Sequence, residues 1–188
     1  MQVRMFLSLM PNDRAIWLKQ AAQHGAAQAD ALAMFTRLPS VTLANMAGRW
    51  AGGGLHTGHW LDGLLEAYGW YGKAFDARGN AHPLLFHGRD NLIAINPCWL
   101  PIQSAGKSRI ARSAIGPACF KLVRGLLQTQ RPQARLSLVT HEGVTSAAMI
   151  YDRLPIIDMF RQVTPTTLLG LMDMKGEPPF FFTLCRDD

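Results

Sequence analysis

Past Pro39 the apolar residues gather into short runs rich in branched and aromatic side chains, and such runs predict strands. Eight are expected: Val41 to Asn45, Leu84 to His87, Leu92 to Asn96, Cys119 to Val123, Arg135 to Thr140, Ser146 to Tyr151, Thr167 to Met172 and Phe180 to Cys185. Turn-forming clusters such as Asp76-Ala77-Arg78-Gly79-Asn80, His141-Glu142-Gly143 and Lys175-Gly176-Glu177-Pro178-Pro179 separate them. This punctuation favours an antiparallel barrel or strongly bent sheet over βαβ units. Arg135 to Thr140 alternates polar and apolar, so one side of a strand can face water and the other an apolar lumen.

Two stretches follow a helical period instead. From Asp13 to Leu38, residues Ile16, Ala22, Ala29, Leu32 and Phe35 fall at roughly helical spacing, with a break at Gly25 and a stop at Pro39. The stripe is thin and mostly alanine, which places this N-terminal segment, residues 1–40, against the outside of a core. From Thr57 to Tyr71, Leu61, Leu64, Leu65 and Tyr68 fall at i, i+3, i+4 and i+7, and His59, Asp62, Gly63 and Glu66 repeat that spacing on an adjacent face. With Thr57 as N-cap, this helix would plug or line one mouth of the barrel. The expected class is α+β, mainly β with helices, and residues 41–188 are expected to form a single antiparallel barrel domain.

Composition narrows the function classes. With 188 residues, 48% hydrophobic and only 17% charged, there is material for one closed core and too little charge for disorder. A net charge of +6 is mild, and no nucleic-acid partner is expected. Cys98, Cys119 and Cys185 are too sparse for a disulfide scaffold and fit a reduced, cytoplasmic protein. Arg4 precedes an apolar run, Met5 to Met10, that Pro11-Asn12-Asp13 interrupts before a signal-peptide core forms. No stretch reaches the roughly 20 apolar residues of a membrane span, so no stable membrane insertion is expected. Asn91 to Thr140 holds Lys107, Arg109, Arg112, Lys121, Arg124, Arg131 and Arg135 and no acid. These cations are open to an anionic head group, a membrane surface or RNA, or are simply solvated; sparse aromatics there argue against a stacking platform.

Gly48-Arg49-Trp50-Ala51-Gly52 is a GxWxG pentapeptide, followed by Thr57-Gly-His-Trp-Leu-Asp-Gly-Leu-Leu-Glu-Ala67 and Gly69-Trp-Tyr-Gly-Lys73. This succession resembles the bacterial GXWXG domain, here over residues 41–100. Met149-Ile-Tyr-Asp-Arg-Leu-Pro-Ile-Ile-Asp-Met-Phe160, Leu168 to Asp173 and a terminal Phe-rich strand resemble the domain of unknown function DUF4334, here over 120–188. Trp60 follows His59 where relatives are expected to carry proline, and the N-terminal helix lies outside the matched blocks. The resemblance implies a lipocalin-like barrel. In length and in lacking a cofactor motif the chain is also similar to the small epoxide-opening lyases that act on α-pinene oxide.

No P-loop, dinucleotide GxGxxG or HExxH is present, and no cofactor is expected. Chemistry needing only a proton donor, a proton acceptor and a dry cavity fits the inventory better. His59 and Asp62, i and i+3 on the expected helix, with His82 approaching, are the candidate catalytic groups. The bland alternative is a capping or buried His–Asp pair; a further one is a metal site of His56, His59, His82 and Asp62. Trp60, Trp70, Tyr71, Phe86 and Trp99 are candidates to line a pocket and face a developing carbocation, though such residues are more often core. Trp50 reads as core. Asp158, amid apolar residues, needs a partner, and Arg153 or Arg161 is the nearest in sequence. The resemblance and this inventory together imply a cofactor-independent lyase or isomerase that opens a small monoterpene epoxide such as α-pinene oxide to an aldehyde. The other function considered is a non-catalytic lipid or fatty-acid carrier, with an arginine on the carboxylate. The partner expected is a small apolar substrate, and a homodimer is allowed.

Overall fold

The computed structural model describes residues 10–89, 91–101 and 108–187. The apolar run from Met5 to Leu9, and Lys107, lie outside the described residues. Pro11 opens helix α1 (Pro11–His24), where its missing N–H is not needed. Gly25 ends it at φ 77, donating its N–H to Ala21 O at 2.8 Å. Helix α2 (Gln28–Arg37) stops at Leu38, which adopts the extended backbone favoured before Pro39. The expected N-terminal helix is therefore two helices parted at Gly25.

Nine strands follow: β1 (Gly48–Gly54), β2 (Trp70–Phe75), β3 (Asn80–His87), β4 (Leu92–Ala94), β5 (Ala134–His141), β6 (Val144–Tyr151), β7 (Ile156–Thr164), β8 (Thr167–Met174) and β9 (Phe180–Asp187). All pair antiparallel in the order β2-β1-β9-β8-β7-β6-β5-β3, and β3 pairs with β2 again, closing a ring of eight with β4 appended to β3. The fold is α+β, mainly β, as expected. Among the described residues three short α-helices sit between strands: α3 (Leu64–Ala67), α4 (Arg109–Arg112) and α5 (Ile115–Val123).

The period-2 rule divides the buried residues of β7 to β9 between two cores. Ile156, Phe160, Leu168, Met172, Phe180, Phe182 and Leu184 face the ring interior. Met159, Val163, Leu169, Leu171 and Phe181 face outward, where Leu18, Ala31, Met34, Phe35 and Leu38 of the N-terminal helices cover them. Both faces are apolar because both are covered, and each such side chain contributes about 1.5–3 kcal/mol. The interior aromatics need small neighbours. A Cβ at Gly52 would overlap the Trp70 ring, and one at Gly170 would overlap Phe182, its cross-strand partner. Trp50 is buried in the interior core and donates its indole N–H to Met46 O at 2.8 Å.

Several expected elements differ. The helix from Thr57 to Tyr71 is a chain of turns with only α3 helical; Gly58 and Gly63 sit at φ 85 and 73, which a right-handed helix does not accept. Cys119 to Val123 is part of helix α5, where the placement of Phe120 against the ring interior overrides strand propensity. Val41 to Asn45 is not a strand, although Val41 O accepts from Ala147 N, and a 3-10 turn follows at Ala44–Met46. β1, β2 and β7 were not among the expected strands.

Candidate functional site

The ring interior is hollow on the side facing α3 and α5. A cavity of about 540 Å³ runs there, walled by Leu61, Leu64, Leu65, Tyr68, Leu84, Phe120, Leu127, Ile156, Met172, Phe180 and Phe182, among others. Trp99, Leu100, Pro101, Ser108, Ala111 and Val123 bring the intervening segment and α4 and α5 to its mouth. Among the described residues the ionisable lining groups are Lys73, Asp158, Tyr151 and Tyr68.

Lys73 reaches the interior through an irregularity in β2. Pairing with β3 shifts register around Gly72, whose φ of 148 suits glycine, and a Cβ there would overlap Trp50 O. The shift lets Trp70 and Lys73, three apart, both face the cavity. Asp158 lies on β7 between the inward positions Ile156 and Phe160. Lys73 Nζ is 2.8 Å from Asp158 Oδ2, with the side chains only 4% and 1% exposed. Lys73 also donates to Pro83 O at 3.2 Å and stands 5.0 Å from the Phe182 ring centre and 5.5 Å from that of Trp70.

Burial pushes the Asp158 carboxyl above its ordinary range, against the opposing pull of the Lys73 charge and of hydrogen bonds from Lys73 and Tyr151. Burial also raises the Tyr151 hydroxyl well above its usual value, and the Asp158 charge adds to this. Three proton-bearing groups thus converge in an otherwise apolar hollow. The partner of Asp158 is Lys73 and neither arginine: Arg161 is three residues along the same strand and so points outward, and Arg153 sits in the turn before β7. Arg161 instead donates to the Phe160, His141 and Val144 carbonyls beneath the ring of Phe35, 5.0 Å away.

Of the residues singled out from the sequence, Trp70, Phe86 and Trp99 line the cavity. His59, Asp62, His82, Trp60 and Tyr71 do not. Asp62 Oδ2 accepts from the Thr57 and Gly58 N–H groups at 2.9 and 2.8 Å, tying its own loop, while Thr57 makes no cap. His59 is buried; its Nδ1 accepts from Leu61 N at 3.0 Å, and burial lowers its pKa, partly opposed by Asp62 and Glu177. His82 on β3 is half-buried, its pKa likewise lowered by burial and partly restored by Asp76. Trp60 packs on the interior core and donates its indole N–H to Glu177 Oε2 at 3.0 Å. Tyr71 hydrogen-bonds Asp187, which together with burial pushes its hydroxyl to about 12. Among the described residues no His, Cys, Asp or Glu cluster forms a metal-ligand set, so His56, His59, His82 and Asp62 are not assembled as one. Nothing in the spacing along the chain brings Lys73, Tyr151 and Asp158 together, although Asp158 reads as a charge in need of a partner.

A family model described as GXWXG protein matches residues 33–91, and one described as a domain of unknown function, DUF4334, matches residues 132–186. The two matches leave 92–131, the segment carrying α4 and α5, between them. A crystal structure of a protein from Thermomonospora curvata is similar, with 30% identity over 94% of this chain and 99% of its own and a TM-score of 0.68. No curated protein matches the chain.

Proposed function

Because the chain belongs to the family that joins a GXWXG region to a DUF4334 domain, and its hollow carries one buried proton-exchanging cluster, we propose a cofactor-independent lyase or isomerase that opens a small apolar epoxide. The observation that carries this reading is the contact of Lys73 with Asp158 inside apolar walls. A monoterpene-sized epoxide such as α-pinene oxide is within the volume and polarity of the cavity.

The Lys73 ammonium donates a proton to the epoxide oxygen as its bond to the more substituted carbon breaks. The resulting cation lies among Trp70, Phe86 and Phe182 and near the Asp158 carboxylate, which stabilise positive charge. After the strained carbon bonds rearrange, Asp158 takes a proton, and transfer across the 2.8 Å contact returns it to Lys73. The product is an isomer of the substrate, an aldehyde for a bicyclic monoterpene oxide, and no other reactant is consumed. Apolar walls serve this sequence by keeping water from the cation.

The carrier reading has less support. No arginine is among the described cavity-lining residues, and the one lysine there is already paired, so a fatty-acid carboxylate would meet the Asp158 charge. The deciding experiment is incubation of the purified protein with α-pinene oxide and analysis of volatile products. Aldehyde formation that falls about 100-fold or more in Asp158→Asn supports the enzyme. No conversion, with a lipid co-purified in native mass spectrometry, supports the carrier instead.

A further inference from the structure

The surface around the cavity mouth is both apolar and basic. Ile115 and Leu122 on α5 and Leu126 just past its end are 62%, 85% and 82% exposed. Ile115 and Leu122, at i and i+7, share one face of α5, and Leu126 is exposed just past the helix end. Ile110 on α4 and Trp99 at the mouth are exposed as well. The fold itself uses other positions: Phe120 is buried 5.0 Å from Phe86 and 5.3 Å from Tyr68, ring centre to ring centre, and Leu127 lines the cavity. Large apolar side chains left exposed together on one short segment point to an interaction site.

Arg109, Arg112, Lys121 and Arg131 are exposed in the same segment, which contains no acid from 91 to 140. The ion pairs among the described residues join Arg49 to Asp187, Lys73 to Asp158 and Arg135 to Asp152, and include none of these four. Charge decides what this surface fits. A second copy meeting it across a twofold axis would set the same cations against each other. An anionic bilayer takes both components, the leucines into the headgroup boundary and the cations onto lipid phosphates.

We propose that α5 and Leu126 form a reversible docking surface for an anionic membrane, holding the cavity mouth against the bilayer so that an apolar ligand enters from the lipid. The inference does not rest on the chemistry inside the cavity, and its test reads binding alone.

The full chain is sedimented with vesicles of phosphatidylcholine and phosphatidylglycerol, and with phosphatidylcholine alone. Binding is expected to the mixed vesicles, to weaken as salt is added, and to be slight on phosphatidylcholine. Leu122→Ser with Leu126→Ser is expected to reduce partitioning about tenfold or more, with thermal unfolding unchanged because both side chains are exposed. Lys121→Gln is expected to reduce it about fivefold. Absence of binding to the mixed vesicles at low salt overturns the proposal, as does binding that the double leucine variant leaves intact. A dimer that the same variant converts to monomer also overturns it and assigns the surface to a second copy.

Discussion

Asp158 on β7 and Lys73 on β2, from opposite halves of the chain, meet at 2.8 Å with almost no exposure to water. A buried pair of this kind rarely repays its desolvation: apolar residues of similar size often give equal or better stability, whereas removing one partner is expensive. Its place in the cavity wall is what the proposed proton chemistry draws on.

That asymmetry gives the first prediction. Asp158→Ala leaves the Lys73 ammonium buried without its counter-charge and is expected to cost about 3–5 kcal/mol in urea unfolding. Lys73→Met combined with Asp158→Leu is expected to recover most of that stability. Turnover of an apolar epoxide is expected to be lost in the double variant all the same. A stable double variant that remains active would remove the pair from the mechanism.

Two histidines, buried His59 and half-buried His82, predict how stability falls toward acid. Burial lowers the pKa of both His59 and His82 below 6.5 in the folded chain, so below that value the unfolded chain binds more protons. Stability is expected to be full above pH 6.5 and to fall as pH drops from there through the lowered folded values. His59→Gln and His82→Gln, unfolded in urea at pH 7.5 and at pH 5, are each expected to show a smaller loss between the two conditions than the unaltered chain. An equal loss would show that neither ring titrates against the fold.

Strands with clear alternation or dense branched and aromatic residues, such as Arg135 to Thr140 and Phe180 to Cys185, were legible in the sequence. Strands β1 and β2 were not, because Gly48, Gly52, Gly53, Gly54 and Gly72 suppress strand propensity while making room for Trp70 and for close approach of the backbones. The spacing of Leu61, Leu64, Leu65 and Tyr68 fits a helix, yet positive φ at Gly58 and Gly63 limits that helix to one turn. This is why His59 and Asp62 do not share a helical face. An acid at Asp158 needing a partner was visible, but proximity along the chain pointed to arginines; only ring closure brings Lys73 to it.

Gly52 gives a sharper test of the GxWxG signature. Trp70 lies directly over it and also forms cavity wall, so Gly52→Ala must displace the indole. The expected cost is about 1–3 kcal/mol, with a change in tryptophan fluorescence. Gly53→Ala meets only the Thr183 hydroxyl at 3.0 Å and is expected to cost less. Equal costs at the two positions would contradict the role given to Trp70.

Arg161 is expected to anchor the outer layer. Its guanidinium, almost wholly buried, serves the carbonyls of Phe160, His141 and Val144 and stacks under Phe35 of α2. Arg161→Met keeps much of the packing but takes the guanidinium from the His141 and Val144 carbonyls, while Phe160 O keeps the Ser146 hydroxyl at 2.7 Å, at roughly 1–3 kcal/mol. The loss should concentrate where α2 covers β7. Hydrogen exchange is expected to quicken in α1, α2 and the outer face of β7 while the interior strands β1 and β9 stay protected. Uniform acceleration through the ring would mean that the N-terminal helices and the barrel unfold as one unit and that Arg161 holds the whole.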